Sequence, residues 1–384
     1  MTILYEPVCH GAEHAPFNAA LLATTLEAYP RRAVTFLAEP THLGEVRALL
    51  DRAAANAILW QPLDIAPRDC RAFRARLPYE WRVVSTVLGI AAKIRGMRVI
   101  ACAVTHAGLA ALECQLLARA FATNVAIVHH SGLSATLGSR STRALLRWTA
   151  GGRIRHVVLG RSILRAVTAA MPAARGLSSI RHPYLFPPVD LARSAWPAGE
   201  PPRFGFLGLA SADKGFDRFC RVAASVSQQS PDEVARPRFE LVGRLDAASR
   251  DALATLDPKR YVEIGSDCGP MPRTVYEARA GAITYAILPY AATHDLASSG
   301  AILDAFARAT PCIALRTPLF ADYFSLMGDI GYLCADEEEL TAVVRGIVRC
   351  PPLERYAAQR RAILERRVLF TPRYVARELR QALS

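Results

Sequence analysis

Short apolar runs alternate with helical patterns along most of this chain of 384 residues. In the first half, β-branched and aliphatic residues cluster in segments that we predict to be strands, at 33–39, 57–62, 97–104, 124–130 and 156–160. Helical patterns lie between them at 109–121 and 141–152, and the second ends on a glycine pair, as helices often do. This alternation predicts α/β layers with parallel sheets.

The pattern changes at residues 183–202, where six prolines interrupt any helix and predict a linker. It then resumes with predicted strands at 203–210, 238–244, 261–266, 282–290 and 311–316, the last of which we expect to close the sheet. Predicted helices follow at 214–229, at 271–280 and from residue 300 onward, and the end of the chain, 351–384, is basic and helical. The sequence therefore predicts two Rossmann-like domains, at 1–186 and 203–350, joined by a linker at 187–202.

The composition is that of a folded soluble protein, with 52% hydrophobic and 21% charged residues. The longest apolar runs, such as 83–92, are shorter than the roughly 18 residues of a membrane span. The N-terminus has no basic region followed by an apolar core, so we expect no secretory signal. Nine cysteines lack the spacing of a redox or metal motif, which predicts reduced core thiols in a cytoplasmic protein.

The net charge is +13, and only three of the 47 basic residues are lysines, namely Lys93, Lys214 and Lys259. Such a charge fits nucleic acid, an anionic membrane surface or a phosphorylated substrate, and it fits a bias of composition equally well. Because there is no RNP-like aromatic pattern, zinc finger or basic heptad, we expect no nucleic acid partner.

Two strand-to-helix junctions in the second half suit an anion. In the first, a predicted strand ends at Gly208, and Lys214 with Gly215 leads into a helix. Backbone N–H groups at a helix start carry partial positive charge, and an ammonium group beside them completes a diphosphate site. The alternative is a surface lysine next to a turn glycine.

The second junction is the segment "LASSGAILDAFARATP", where Ser298 and Ser299 can cap a helix through their hydroxyls. Gly300 leaves room for a ligand at the helix start, and Asp304 lies about one turn further on the same face, where its carboxylate can accept hydrogen bonds from a ribose. Arg244 follows another predicted strand and can supply a second positive charge. Ligands of such sheets bind at the carboxyl ends of the strands, where these loops belong.

Histidines and other polar residues follow several predicted strands of the first half. They are Gly11, Glu13 and His14, His106, His129 and His130, and His182 just before the linker. One histidine at a strand end is usually structural. Four strand ends that carry histidine along one sheet edge favour a functional role there.

The segments "GLASADKG" and "LASSGAILDAFARATPCIA" resemble the two donor-site elements of GT-B glycosyltransferases, over about residues 203–318. The resemblance implies that Lys214 holds the donor diphosphate, that amides at Ser298, Ser299 and Gly300 bind phosphate, and that Asp304 holds the ribose. Two residues depart from the pattern of the large retaining family: Leu209 stands for its Arg and Leu296 for its first Glu. The Ser-Ser-Gly element is closer to xanthan-type exopolysaccharide mannosyltransferases, and the stereochemistry stays open.

The resemblance further implies two domains facing a cleft, with 351–384 as a helix that packs back toward the first domain. The expected reaction moves a sugar from GDP-mannose or a UDP-sugar onto a glycan or a polyprenyl-diphosphate-linked oligosaccharide in bacterial surface or exopolysaccharide synthesis. The acceptor side would include Gly11, His106 and His129, and an inverting enzyme would take its base from Glu13, His14 or His130.

We expect no metal or other cofactor, because Lys214 and helix amides can neutralise the diphosphate. The basic surface predicts peripheral association with the inner, anionic face of the membrane. Two alternatives remain: a nucleotide-sugar epimerase of the same fold, and a catalytically degenerate subunit that acts as a scaffold.

Overall fold

The computed structural model describes residues 1–70, 72–94, 96–119, 124–130, 133–150, 152–172, 174–189, 196, 200–229, 237–246, 258–265, 271–291 and 296–384. The chain divides into two compact units. Unit 1 comprises Met1–Leu185, Leu296–Ser298 and Leu369–Ser384, and unit 2 comprises Phe186–Asp295 and Ser299–Val368. Among the helices of the described ranges, none is both long enough and apolar enough to cross a membrane.

Unit 1 contains a parallel sheet of seven strands in the order β3-β2-β1-β4-β5-β6-β7. The strands are β1 (Thr2–Tyr5), β2 (Val34–Ala38), β3 (Ile58–Pro62), β4 (Arg98–Ala101), β5 (Asn124–His129), β6 (Ile154–Leu159) and β7 (Leu177–Ile180). Most of these strands are apolar on both faces, as expected for a parallel sheet covered by helices on both sides.

The helices of unit 1 form one layer on each face of this sheet. They are α1 (Ala15–Ala28), α2 (Pro40–Ala48), α3 (Arg52–Asn56), α4 (Phe73–Ala92), α5 (His106–Arg119), α6 (Leu133–Gly138), α7 (Arg140–Ala150), α8 (Arg161–Ala170) and, from the end of the chain, α15 (Pro372–Leu383). Strand alternation divides the core: Ile3 and Tyr5 pack with α4, α5 and α7, while Leu4 packs with α1 and α15.

Unit 2 contains a parallel sheet of six strands in the order β10-β9-β8-β11-β12-β13. The strands are β8 (Arg203–Ala210), β9 (Arg238–Leu245), β10 (Glu263–Ile264), β11 (Tyr285–Leu288), β12 (Cys312–Leu315) and β13 (Gly331–Cys334). The helices are α9 (Phe216–Ser227), α10 (Arg273–Gly281), α11 (Gly300–Ala307), α12 (Pro318–Met327), α13 (Glu337–Arg349) and α14 (Leu353–Arg366). An aromatic core that includes Phe204, Phe206, Phe219 and Phe239 fills the space between β8, β9 and α9.

The predicted fold class, two α/β units with parallel sheets, is confirmed, but three details differ. The strand at 311–316 does not close the second sheet, because β13 follows it at the edge. Strand β7 was not predicted, since its sequence "LSSI" has only two apolar residues. The segment 351–384 forms two helices, α14 in unit 2 and α15 in unit 1, separated by a 3-10 turn at Arg367–Phe370.

Candidate functional site

The loop between β8 and α9 is fastened to the end of β11. Gly215 has φ of 70°, and a Cβ there would collide with the carbonyl oxygen of Pro289. The backbone N–H of Ala291 donates to the oxygen of Asp213 at 3.0 Å, and Arg218 donates to the oxygen of Pro289 at 3.3 Å. Only glycine satisfies both the left-handed backbone and this close approach, so the glycine after Lys214 is required by the fold.

Lys214 is half-buried in this loop, with its Nζ 6.0 Å from the centre of the Tyr290 ring. Burial lowers the pKa of Lys214, although the carboxylates of Asp304 and Asp213 act to raise it. The ammonium group is therefore held where its surroundings only partly compensate its charge. Such a cation gains most from an anion of higher charge.

The start of α11 combines a capped end with open space. The Oγ of Ser299 accepts a hydrogen bond from the Ile302 N–H at 3.4 Å and lies 3.0 Å from the hydroxyl of Tyr290. A Cβ at Gly300 would meet no atom within 4 Å, so this glycine is not required by packing. The Oγ of Ser298 is enclosed and has no hydrogen-bond partner among the described residues.

Asp304 lies one turn into α11 and is half-buried. Its Oδ2 accepts a hydrogen bond from the hydroxyl of Tyr276, on α10, at 2.7 Å. A carboxylate has about four acceptor sites, so this bond leaves capacity for a ligand hydroxyl. Tyr276 and Tyr290 were missed by the sequence reasoning, because a tyrosine far along the chain gives no local signal of its partner.

The other donor-side residues lie at the same carboxyl edge of the second sheet. Gly208 and Gly243 are paired in register on β8 and β9, and a Cβ on Gly243 would collide with the Gly208 carbonyl. Gly208 has φ of 85°, so its backbone also favours glycine. Arg244 follows directly and is exposed. Leu296 packs against the unit 1 core, so this position serves packing rather than a carboxylate.

In unit 1, a buried polar network holds the loop after β1. The Oε1 of Glu6 accepts from the N–H of Val8 at 2.8 Å, and its Oε2 accepts from Nδ2 of Asn18 at 3.1 Å. The same amide lies 2.8 Å from Nε2 of His42, and Nδ1 of His42 lies 2.6 Å from the oxygen of Gly11. A carbonyl only accepts, so Nδ1 carries the proton and Nε2 accepts from Asn18. Gly11 thus belongs to the support of the loop.

A second set of hydrogen bonds fixes the outer part of this loop. Glu13 Oε2 accepts from the N–H of His10 at 3.2 Å, and its Oε1 lies 3.8 Å from Arg68. Burial acts to raise the pKa of Glu39, but hydrogen bonds from Thr41, His42 and Gly11 outweigh it and lower the pKa to about 2. Glu13 is half-exposed and remains a candidate base.

Three histidines and a phenylalanine cluster at the carboxyl edge of the first sheet. The His130 ring stacks on Phe17 at 4.4 Å and meets the edge of the His14 ring at 4.2 Å. His182 closes the cluster, 5.3 Å from His130, and burial followed by the charge of His14 lowers its pKa to about 3. His14 is the exposed N-cap residue of α1, and its φ of 51° is a left-handed backbone conformation that is uncommon outside glycine. The structure therefore brings His14 and His130 together.

His129 and His106 are placed differently. His129 is buried, and its Nε2 lies 2.8 Å from Nδ1 of His156, so it is part of the interior and not of an exposed acceptor surface. Burial lowers the pKa of His129 to about 4. His106 begins α5 and is half-buried, and burial lowers its pKa as well. Within the described ranges, no group of three or more His, Cys, Asp or Glu side chains is arranged to hold a metal ion.

No protein-family model matches the chain, and no curated protein matches it by sequence. Solved structures do match its fold over the whole length. HepE from Anabaena, in complex with UDP and glucose, is 13% identical with a TM-score of 0.65, covering 100% of this chain and 99% of its own. An α,α-trehalose-phosphate synthase (UDP-forming) from Burkholderia vietnamiensis is 10% identical with a TM-score of 0.67, covering 100% and 96%. An E. coli structure bound with UDP-2-fluoro glucose is 8% identical with a TM-score of 0.70, covering 100% and 99%.

At these low sequence identities, the comparisons show the fold alone. The chain has the two-domain α/β fold of the GT-B glycosyltransferases.

Proposed function

We propose that this protein is a glycosyltransferase that takes its sugar from a UDP-sugar bound at the carboxyl edge of the unit 2 sheet. The observation that carries the proposal is the grouping of Lys214, the open helix start at Gly300 and the carboxylate of Asp304 in one unit. Structures of the same fold bound with UDP, or with a UDP-sugar analogue, support uridine as the base.

The diphosphate is assigned to Lys214 and the first N–H groups of α11. Helix N-termini attract anions through unpaired N–H groups and the helix dipole, and a half-buried ammonium group strengthens that attraction. Ser299 caps only the N–H of Ile302, and α11 has no acidic residue in its first turn to compete with a phosphate. A diphosphate would also compensate the poorly neutralised charge of Lys214.

The ribose is assigned to Asp304. The hydroxyl of Tyr276 donates to Oδ2 and fixes the orientation of the carboxylate, and a carboxylate has about four acceptor sites with which to bind a diol as well. Leu209 and Leu296 leave this site without one arginine and one glutamate of the retaining family's pattern, so contacts to the transferred sugar must come from other residues.

For the acceptor we propose a glycan or a polyprenyl-diphosphate-linked oligosaccharide, bound at the histidine-bearing edge of unit 1. His14 and His130 are in contact there, and half-exposed Glu13 lies one residue before His14. If transfer inverts the anomeric carbon, one of these three groups takes the proton of the acceptor hydroxyl. In a retaining reaction they serve to position the acceptor instead.

Calorimetric titration with UDP, GDP, pyrophosphate, UDP-glucose and GDP-mannose tests the donor assignment. The variant Asp304→Asn should bind UDP more weakly but pyrophosphate no more weakly than the parent does, because only UDP carries the ribose and the variant removes a negative charge near Lys214. Glu263→Gln is the matched control, since Glu263 is an exposed carboxylate of the same unit. Equal binding of UDP by the parent and Asp304→Asn would remove the ribose assignment.

Donor hydrolysis and transfer separate the enzyme from a scaffold. An enzyme releases UDP from UDP-glucose, slowly with water and faster with acceptor glycans, whereas a scaffold binds UDP and releases none. An epimerase would change the configuration of the donor sugar and would transfer no sugar to the acceptor glycan.

A further inference from the structure

The excess of basic over acidic residues in this protein comes from one stretch of the sequence. Residues 81–189 contain fourteen Arg and Lys but a single acidic residue, Glu113, whereas the rest of the chain contains 33 basic and 33 acidic residues. The entire net charge of +13 therefore lies in unit 1. A uniform bias of composition would have spread the charge over both units, so the segregation needs another reason.

The charged stretch builds one outer layer of unit 1. Helices α4, α5 and α7 pack side by side against the same face of the sheet, and Nε2 of Gln115 on α5 donates to the oxygen of Trp81 on α4 at 2.9 Å. The two carboxylates of these helices, Glu80 and Glu113, are only 2% and 3% exposed. The outer surface of the layer thus carries cations without carboxylates beside them.

The exposed cations of this layer lie on or next to α4 and on α7, and the neighbouring helix α8, which packs into the same core, adds two more. They are Arg82 and Lys93 at α4, Arg140 and Arg147 on α7, and Arg161 and Arg165 on α8.

The same surface exposes large apolar side chains next to these cations. Trp81 on α4 is 45% exposed, Leu117 on α5 is 49% exposed and Trp148 on α7 is 51% exposed. Arg82 and Arg147 are the immediate neighbours of the two tryptophans in sequence and are also exposed. Three large apolar side chains on neighbouring helices of one layer, among exposed cations, favour an interaction surface over single apolar residues scattered at random.

We propose that this layer, which we term the α4–α7 face, binds the surface of a bilayer that contains anionic phospholipid. Tryptophan settles at the level of lipid headgroups, where its ring is in apolar surroundings and its N–H remains hydrated. Arginine places its stem along the apolar boundary and its guanidinium against lipid phosphate. Exposed Leu117 on α5 adds apolar area for the acyl boundary.

A bilayer fits this face better than nucleic acid does. Single-stranded nucleic acid needs a groove that follows its backbone, with aromatic rings spaced for successive bases. The cations here instead spread over the outer sides of several helices, as a planar anionic surface requires. The inference concerns unit 1 alone and does not depend on the proposed transfer reaction.

Vesicle binding by the whole protein tests the proposal. The probes are phosphatidylcholine vesicles with and without 30 mol% phosphatidylglycerol, at low and at high salt. The double variant Arg147→Gln/Trp148→Ala should bind the anionic vesicles at least about fivefold more weakly, since one arginine near such a surface contributes about that factor. The matched control is Arg373→Gln/Tyr374→Ala, an adjacent and exposed pair on α15, with Tyr374 51% exposed. It should bind like the parent.

A second measurement identifies the face that touches lipid. Bromine-labelled acyl chains should quench the fluorescence of Trp81 and Trp148 in the parent and less in the double variant. The proposal would be overturned if the parent bound neutral and anionic vesicles equally well, or if the control pair lost as much binding as the double variant. Absence of tryptophan quenching in the parent would overturn it too. Tight binding to RNA by the α4–α7 face, with no binding to vesicles, would overturn it as well.

Discussion

Replacing Lys214 with methionine should separate two effects of opposite sign. Burial lowers the pKa of Lys214, so the charged form costs the unliganded fold free energy relative to the unfolded chain. Methionine keeps most of the apolar stem and removes the charge. We therefore expect Lys214→Met to be more stable than the parent at pH 7 in the absence of nucleotide. The difference should shrink as pH rises through the lowered pKa toward 10.5, because the folded parent then loses the costly proton.

The same substitution, Lys214→Met, should lower the affinity for nucleotide. A hydrogen bond to a charged group contributes about 1.5–3 kcal/mol, and each 1.4 kcal/mol changes a dissociation constant about tenfold. The variant should therefore bind UDP about ten- to hundredfold more weakly. Binding of UDP to the parent should also take up protons at alkaline pH, because the diphosphate raises the pKa of Lys214 again. The variant should show no such uptake.

The measurements are thermal unfolding without ligand and calorimetric titration with UDP in buffers of different ionisation enthalpy. Lys259→Met is the matched control, since Lys259 is an exposed lysine of the same unit. It should change neither stability nor affinity. If Lys214→Met binds UDP as tightly as the parent, Lys214 does not hold the diphosphate. Loss of both stability and affinity in the variant would show instead that Lys214 is a structural residue.

Four further substitutions test the structure, three in unit 2 and one in unit 1. Gly215→Ala should lower the free energy of unfolding by at least about 1–2 kcal/mol, since alanine must adopt the left-handed backbone and displace Pro289. Gly300→Ala should instead raise the free energy of unfolding by about 0.5–1 kcal/mol and still weaken the binding of UDP. Denaturant titration compares the stability of these two variants, and calorimetry compares their affinity for UDP. Tyr276→Phe should weaken the binding of UDP about two- to tenfold and leave the binding of pyrophosphate unchanged. Calorimetric titration with both ligands checks this. Glu39→Gln should be less stable than the parent at pH 7. That deficit should narrow as pH falls from about 4.5 to about 2, where the carboxylate of the folded parent is protonated, and a gap independent of pH would contradict it.

The fold could be predicted because its strands are buried on both sides. Strand β8 occupies the predicted range 203–210, since "RFGFLGLA" is apolar after its first residue, Arg203, and is bounded by proline and a polar loop. The failures are at the sheet edges. Strand β7 contains two serines that leave it half-buried, and β13 was overlooked because "GYLC" is short and begins at a glycine. Edge strands bury less, so their sequences carry less of the pattern.

The candidate site was predicted only where its signal is local. Lys214 with Gly215 can be found from spacing alone, because the loop and the helix it opens are continuous in sequence. Tyr276 lies 28 residues before Asp304, and only the fold brings the two side chains together. The adjacent His129 and His130 were assigned to the acceptor side and to the candidate bases, but sequence alone could not show that His129 is buried against His156. Their roles in binding and catalysis stay predictions.

The placement of α15 has a consequence for the order of events on the ribosome. Val375, Leu379 and Leu383 fill the core of unit 1 beside α1, yet they are synthesised after all of residues 186–368. Until then, the apolar face of α1 that they cover has no partner from α15. Unit 1 therefore cannot complete its core while its own first 185 residues emerge, and unit 2 has left the exit tunnel before unit 1 is finished. Native maturation of the first unit therefore depends on translation of the second, and a chain that is cut short in unit 2 leaves unit 1 incomplete and exposed to protein quality control.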